Sequence, residues 1–429
     1  LGNVTAVVPN VDQIGTDVTI HGERLLDGGS KVARVLLAGT EATVGDSSDS
    51  AVSVKVVRAA ASNPGDVVLV ADTGAVITQS SAFAYLEEGD ISSVEPNNGQ
   101  RGTYVTISGD RLSGGGDSDR VITVTLAGVE AELLNQTDAF IDVRAVASDA
   151  SSGHGVLTSS SGAVVTEENG WEYNAVGNIT SVSPAVGQID TVVTIEGTSL
   201  LGGGSELAWI TIDGTAPASI RSQTESSIVL VLARPSAAST SKIMMVSNTG
   251  AIVEATGLFS YVAEGVISSV VPAVGQIGTE VTISGTSLQG AGLKVITVTL
   301  AGESATIVSE SDSTVVVIAT QSGNQTGDVV LTADTEATVT SAGAWEFATE
   351  GQVTSVNPSS GQYGTRVDIR GTGLRGAASE VVNVTLAGIR VEELVSQSDT
   401  LVQIIATTAD AGSGVVVLTA DSGTIVTGS

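Results

Sequence analysis

ISSVVPAVGQIGTEVTISG, residues 267–285, decides the fold, because the chain carries it five times. ISSVEPNNGQRGTYVTISG (91–109), ITSVSPAVGQIDTVVTIEG (179–197) and VTSVNPSSGQYGTRVDIRG (353–371) are the same stretch, and VTAVVPNVDQIGTDVTIHG (4–22) opens the chain. Its proline recurs at Pro9, Pro96, Pro184, Pro272 and Pro358, at spacings of 87, 88, 88 and 86 residues, and uses five of the eight prolines in the chain. Self-similarity at a fixed period marks a repeat architecture. In Val105-Thr106-Ile107, Val193-Thr194-Ile195 and Val281-Thr282-Ile283 apolar side chains alternate with threonine, the period of a half-buried strand with Val and Ile inward. Proline fixes φ and glycine permits positive φ, so the Pro-x-x-Gly-Gln run that precedes this strand reads as a turn or bulge.

Other landmarks keep the phase. VLLAG (35–39), VTLAG (124–128), ITIDG (210–214), VTLAG (298–302) and VTLAG (384–388) each end a strand in a tight turn. VVLVADTG (67–74), VLTSSSG (156–162), MMVSNTG (244–250), VVLTADTE (329–336) and VVVLTADSG (415–423) form a later strand and turn. Four repeats close on an aromatic-x-aromatic strand: Phe83/Tyr85, Trp171/Tyr173, Phe259/Tyr261 and Trp345/Phe347. These eight rings are most of the three Trp, five Tyr and four Phe available, and side chains at i and i+2 share a face, so they are expected to form the bulkiest part of each core. Short strands with frequent turn signals and no helical period predict antiparallel sandwiches.

The pattern I-[ST]-S-V-x-P-x-x-G-Q-x-G-T-x-V-T-I-x-G-x-x-L resembles the start of an IPT/TIG domain, a family with an immunoglobulin-like fold that occurs in plexins and transcription factors. The resemblance spans the chain and implies about seven strands in two packed sheets per copy. The expected units are 1–90, 91–178, 179–266, 267–352 and 353–429, the last lacking its closing strand, since its aromatic pair would fall past Ser429. The family implies no single function, because one fold hosts many.

Composition narrows the function classes. Gly reaches 51 and aromatics only 3%, while β-branched residues supply much of the 41% apolar content, which suits strands and turns. A formal charge of −30 disfavours nucleic acid and anionic membrane surfaces as partners. No run approaches 18 apolar residues, so no helical membrane insertion is expected within this segment. There is no cysteine.

Only five residues join each aromatic strand to the next repeat: 86–90, 174–178, 262–266 and 348–352. Five residues reach at most about 17 Å. Each linker holds one glycine at the same phase (Gly89, Gly177, Gly265, Gly351), and none is a flexible-coil spacer, so neighbouring domains are expected to touch and form a semi-rigid rod. Partners follow from this: copies of the chain, or its own continuation, end to end.

No catalytic constellation appears. His21 and His154 fall at unrelated positions, and His21 occupies a variable solvent-facing site. Asp46–Asp49 and Asp117–Asp119 could offer oxygen ligands to Ca²⁺, but they lack the EF-hand spacing and read as solvated loop charges. No other cofactor is expected. The glycine runs 114–116 and 202–204 read as turns. Sequons at Asn3, Asn135, Asn178, Asn324 and Asn383 are candidate N-glycosylation sites. Trp209, Met244 and Met245 set the third repeat apart, with Trp209 expected to fill the core. These features predict a non-enzymatic extracellular repeat protein of a filament, appendage or coat. An adhesin or receptor ectodomain using loops, and an accessory array on an enzyme, are the alternatives.

Overall fold

In the computed structural model, which describes residues 1–114, 119–235, 241–321 and 323–428, every repeat is a two-layer antiparallel sandwich. The first repeat runs β1 (Asn3–Val8), β2 (Val11–Asp12), β3 (Asp17–Glu23), β4 (Val32–Leu37), β5 (Thr40–Ser47), β6 (Ala51–Lys55), β7 (Gly65–Ala71) and β8 (Val76–Tyr85). One layer is β1-β3-β6 and the other β4-β7-β8, with two-residue β2 added parallel to the end of β8. β5 pairs with β4 at Val35↔Ala42 and with β6 at Thr43↔Lys55, so one strand turns the corner between the layers.

Local sequence explains these elements. β3 buries Val18 and Ile20 and leaves Asp17 and His21 exposed, as the alternation requires. The β4–β5 hairpin turns on Ala38 (φ 44°) and Gly39 (φ 89°), two consecutive left-handed residues that match the twist of a hairpin. The Ala-Gly pairs at 127–128, 301–302 and 387–388, and Asp213-Gly214, do the same. β1 ends at the Val8-Pro9 peptide, which is cis, as it is before the other four repeat prolines.

Five separate cores result, one per repeat. Each aromatic pair packs edge to face at centroid distances of 5.3, 5.5, 5.2 and 5.6 Å. Such contacts add about 1 kcal/mol to the burial itself. Phe83, Trp171, Tyr173, Phe259, Trp345 and Phe347 are among the largest fully buried side chains, Tyr85 is buried, and Tyr261 is half-buried. Burial, and then Asp213, push the Tyr261 hydroxyl up to about 12.

Two expectations need correction. Trp209 does not fill the core: it is 44% exposed, because a register shift between Leu207 and Trp209 turns it outward. The fifth repeat does begin its closing strand: Ile425–Gly428 pairs with Val416–Ala420 and buries Val426, as the first half of β8 does in the first repeat.

Candidate functional site at the repeat junctions

The proline turn leads into a loop, Gln-x-Gly/Asp-Thr, at the end of each repeat that faces its successor. Gln13, Gln100, Gln188 and Gln276 are at most 1% exposed, a rare position for an uncharged amide unless its hydrogen bonds are met. Each side-chain oxygen accepts the backbone N–H of the junction glycine: Gly89 at 2.6 Å, Gly177 at 2.7 Å, Gly265 at 2.8 Å and Gly351 at 2.8 Å. Three side-chain nitrogens then donate across the seam into the next repeat. Gln100 reaches the Ile252 carbonyl at 3.4 Å, Gln188 that of Thr338 at 3.0 Å and Gln276 that of Ile425 at 3.4 Å. One side chain therefore clamps the linker and the neighbour together. The threonine three positions on holds the loop, accepting the glutamine's own backbone N–H at Thr103, Thr191 and Thr279.

Backbone pairing completes the seam. The incoming part is the late turn, closed within itself by bonds such as Gly162 N–H to Ser159 O and Gly250 N–H to Ser247 O. Asp17 N–H donates to Ser161 O and Val164 N–H to Ile14 O at the first seam. Tyr104 N–H to Thr249 O and Ile252 N–H to Arg101 O repeat this pair at the second. Val192 N–H to Thr335 O and Glu280 N–H to Ser422 O serve the third and fourth. Gly250 permits the approach of Tyr104, since a Cβ there would collide with the ring.

Side chains differ from seam to seam. Arg101 and Lys242 both pair with Glu254, at 2.8 and 3.0 Å, and Lys242, then Arg101, holds its carboxyl below the usual range. At the third seam Arg221 grips Glu336 through two bonds of 2.9 and 2.7 Å, and the Thr338 hydroxyl donates to Asp190 at 2.6 Å. The fourth uses two buried hydroxyls, Thr279 and Thr424, 2.7 Å apart.

The remaining candidates fall elsewhere. Asn3, Asn135, Asn178 and Asn324 are exposed. Asn383 differs: it is half-buried mid-strand opposite Thr419, and its side-chain oxygen is buried without a partner. His21 and His154 are exposed and in separate repeats. Among the described residues no group of three His, Cys, Asp or Glu is placed to hold a metal; Asp117 and Ser118, and Gly115 and Gly116, lie outside them.

Asp49 has a role missed in the sequence. It accepts the Leu26 N–H at 3.2 Å, and Asp138, Glu225, Asp312 and Asp399 do the same for Ser113, Leu201, Gln289 and Arg375. The reading of Asp49 as a merely solvated loop charge is thereby corrected: an acid after Ser or Thr caps the same loop in every repeat. The latch glutamine was likewise missed, although Gln-x-Gly/Asp-Thr was visible five times.

A family model for the IPT/TIG domain matches residues 3–85, 90–169, 178–261, 266–347 and 352–429. No curated protein matches the chain. Similar solved structures include the plexin A4 full extracellular region, at 12% identity and a TM-score of 0.32 over 97% of this chain and 47% of that one. The chain thus spans about half the length of that structure. The N-terminal eight Ig domains of Down syndrome cell adhesion molecule align at 9% identity and 0.22 over 100% and 69% of the two chains. A Bacteroides ovatus SGBP-B in complex with a mixed-linkage heptasaccharide aligns at 13% and 0.18 over 74% and 88%.

Proposed function

This chain belongs to the IPT/TIG domain family through all five repeats, and from that premise we propose that it is a non-enzymatic structural array of an extracellular filament, appendage or coat. The observation that carries this reading is the shared junction, in which a buried glutamine holds the linker while backbone bonds hold the next domain. A five-residue linker clamped in this way suppresses hinge motion and makes length a fixed property of the chain. The acidic surface keeps such rods soluble and apart, and the exposed sequons at Asn3, Asn135, Asn178 and Asn324 are its glycan acceptors in a eukaryotic secretory route. Its partners are copies of itself or the continuation of the same chain, end to end. Electron microscopy of native material, with rotary shadowing of the isolated chain, tests this reading. Extended particles of one length, joined end to end in native material, are expected; compact particles of variable shape with no association would sink it.

Trp209 favours a second reading, an adhesin that binds a protein or glycan. It is a large exposed ring, where the first, second, fourth and fifth repeats carry Arg34, Thr123, Thr297 and Asn383. Glycan-array binding that Trp209→Ala leaves unchanged removes its support.

A further inference from the structure

One of the four seams is altered at a single residue. Where the later repeats place glycine before the latch glutamine (Gly99, Gly187, Gly275, Gly361), the first places Asp12. The glycine is sterically motivated, since a Cβ would come within 2.5 Å of Thr103, 3.0 Å of Thr191 or 2.6 Å of Thr279. Asp12 nevertheless occupies this site at 1% exposure. Its carboxylate takes the Gln13 N–H at 2.8 Å, the bond that threonine accepts in the other repeats. The displaced Thr16 is fully buried beside Asp12 with its hydroxyl in no hydrogen bond of ordinary geometry. Gln13 keeps its bond to Gly89, but its side-chain nitrogen, the group that elsewhere crosses the seam, is buried without an acceptor.

Across the seam the Ser161 hydroxyl hydrogen-bonds the Asp12 carboxylate, while the carboxylate of Asp119, also in the second repeat, opposes its charge. On its own repeat Asp17, five residues further along the chain, is paired with Lys55 at 2.8 Å. A carboxylate under these conditions is penalised first by burial and then by like charge.

We propose that the seam between the first and second repeats is an acid-tightened joint: protonated Asp12 lets the two repeats dock as the others do, and ionised Asp12 loosens this seam while the other three stay closed. Burial first, then Asp119, holds the Asp12 carboxyl above its ordinary range in the docked state, against the hydrogen bonds that lower it. The docked state therefore binds the extra proton. Docking is strongest at low pH and is lost as pH rises through the raised value, by about tenfold in the docked-to-open ratio for each unit of difference. The inference rests on the seam's geometry and not on the array's biological role, so a chain that forms no filament would leave it standing.

Because the chain has no cysteine, labels can be placed at will. Spin labels at Asp46→Cys and Glu130→Cys report the first seam, and at Glu130→Cys and Ser222→Cys the second, in the full 429-residue chain. Electron–electron double resonance should show the first distance distribution broadening from acid to neutral pH and the second unchanged. In Asp12→Asn and Asp12→Gly the broadening should vanish and the distribution stay narrow throughout. Should those variants unfold by circular dichroism, Asp119→Asn, which removes the facing charge and so lessens the penalty on ionised Asp12, should leave a smaller broadening at neutral pH than the parent chain shows. A first seam of constant width, broadening that survives in folded Asp12→Asn, or undiminished broadening in Asp119→Asn overturns the proposal.

Discussion

The seams on either side of the second repeat use the same loop and the same turn, yet they are not equally closed. At the second seam Gln100 satisfies both ends of its amide, and Arg101 and Lys242 converge on Glu254. At the first, Gln13 satisfies one end, and the charge brought to the seam by Asp119 is of the same sign as that of Asp12. The difference follows from one side chain in place of a hydrogen atom. A buried amide contributes when all its groups are paired and costs when one is not, so a junction built on it is sensitive to small changes beside it.

The largest test asks whether fully latched seams transmit unfolding and the partly latched first seam does not. Trp345→Ala empties the fourth core and should cost about 3–5 kcal/mol, as should Phe83→Ala in the first. Hydrogen exchange should then show lost protection spreading from the fourth repeat into the third, but stopping at the first seam in Phe83→Ala. Equal spread in both would erase the distinction. Next in size, Gln188→Leu strands the Gly265 N–H and the Thr338 carbonyl and should weaken the third seam by about 2 kcal/mol. Gln13→Leu, which strands only the Gly89 N–H, should cost about half as much, read as faster exchange at that amide.

Transplanting the difference is a milder change. Gly187→Asp, at the glycine whose Cβ has most room, should make the third seam loosen as pH rises through the new carboxyl's raised value, seen as a broadened label distance across it. A pH-independent seam in that variant would show that the surroundings of Asp12, and not the acid, make the joint. The smallest effect belongs to Arg221→Met. Its pair with Glu336 joins half-exposed side chains, so its loss should barely move thermal unfolding, and moderate salt should hide it altogether.

Much of this molecule was legible in advance for a plain reason. Strand alternation, the Ala-Gly hairpin turn and the aromatic-x-aromatic core are local, and five copies let each be checked against the others. Trp209 was misread because a register shift sends it outward, and nothing in Leu207-Ala208-Trp209 announces that shift. Asp49 was passed over because acids in loops are ordinarily solvated, while here the carboxylate caps the backbone of a loop 23 residues away.

The sequence by itself determined the repeat, the sandwich class, the short linkers and the glycine at each junction, since all are set by periodicity and by backbone chemistry along the chain. Only the tertiary structure decided what the linkers do. The bonds by which Gln100, Gln188 and Gln276 cross the seams join residues 152, 150 and 149 positions apart. No local pattern encodes a contact at that separation; it exists because two finished domains present a loop and a turn to one another. For the same reason only folding shows that Asp12 is buried in the seam.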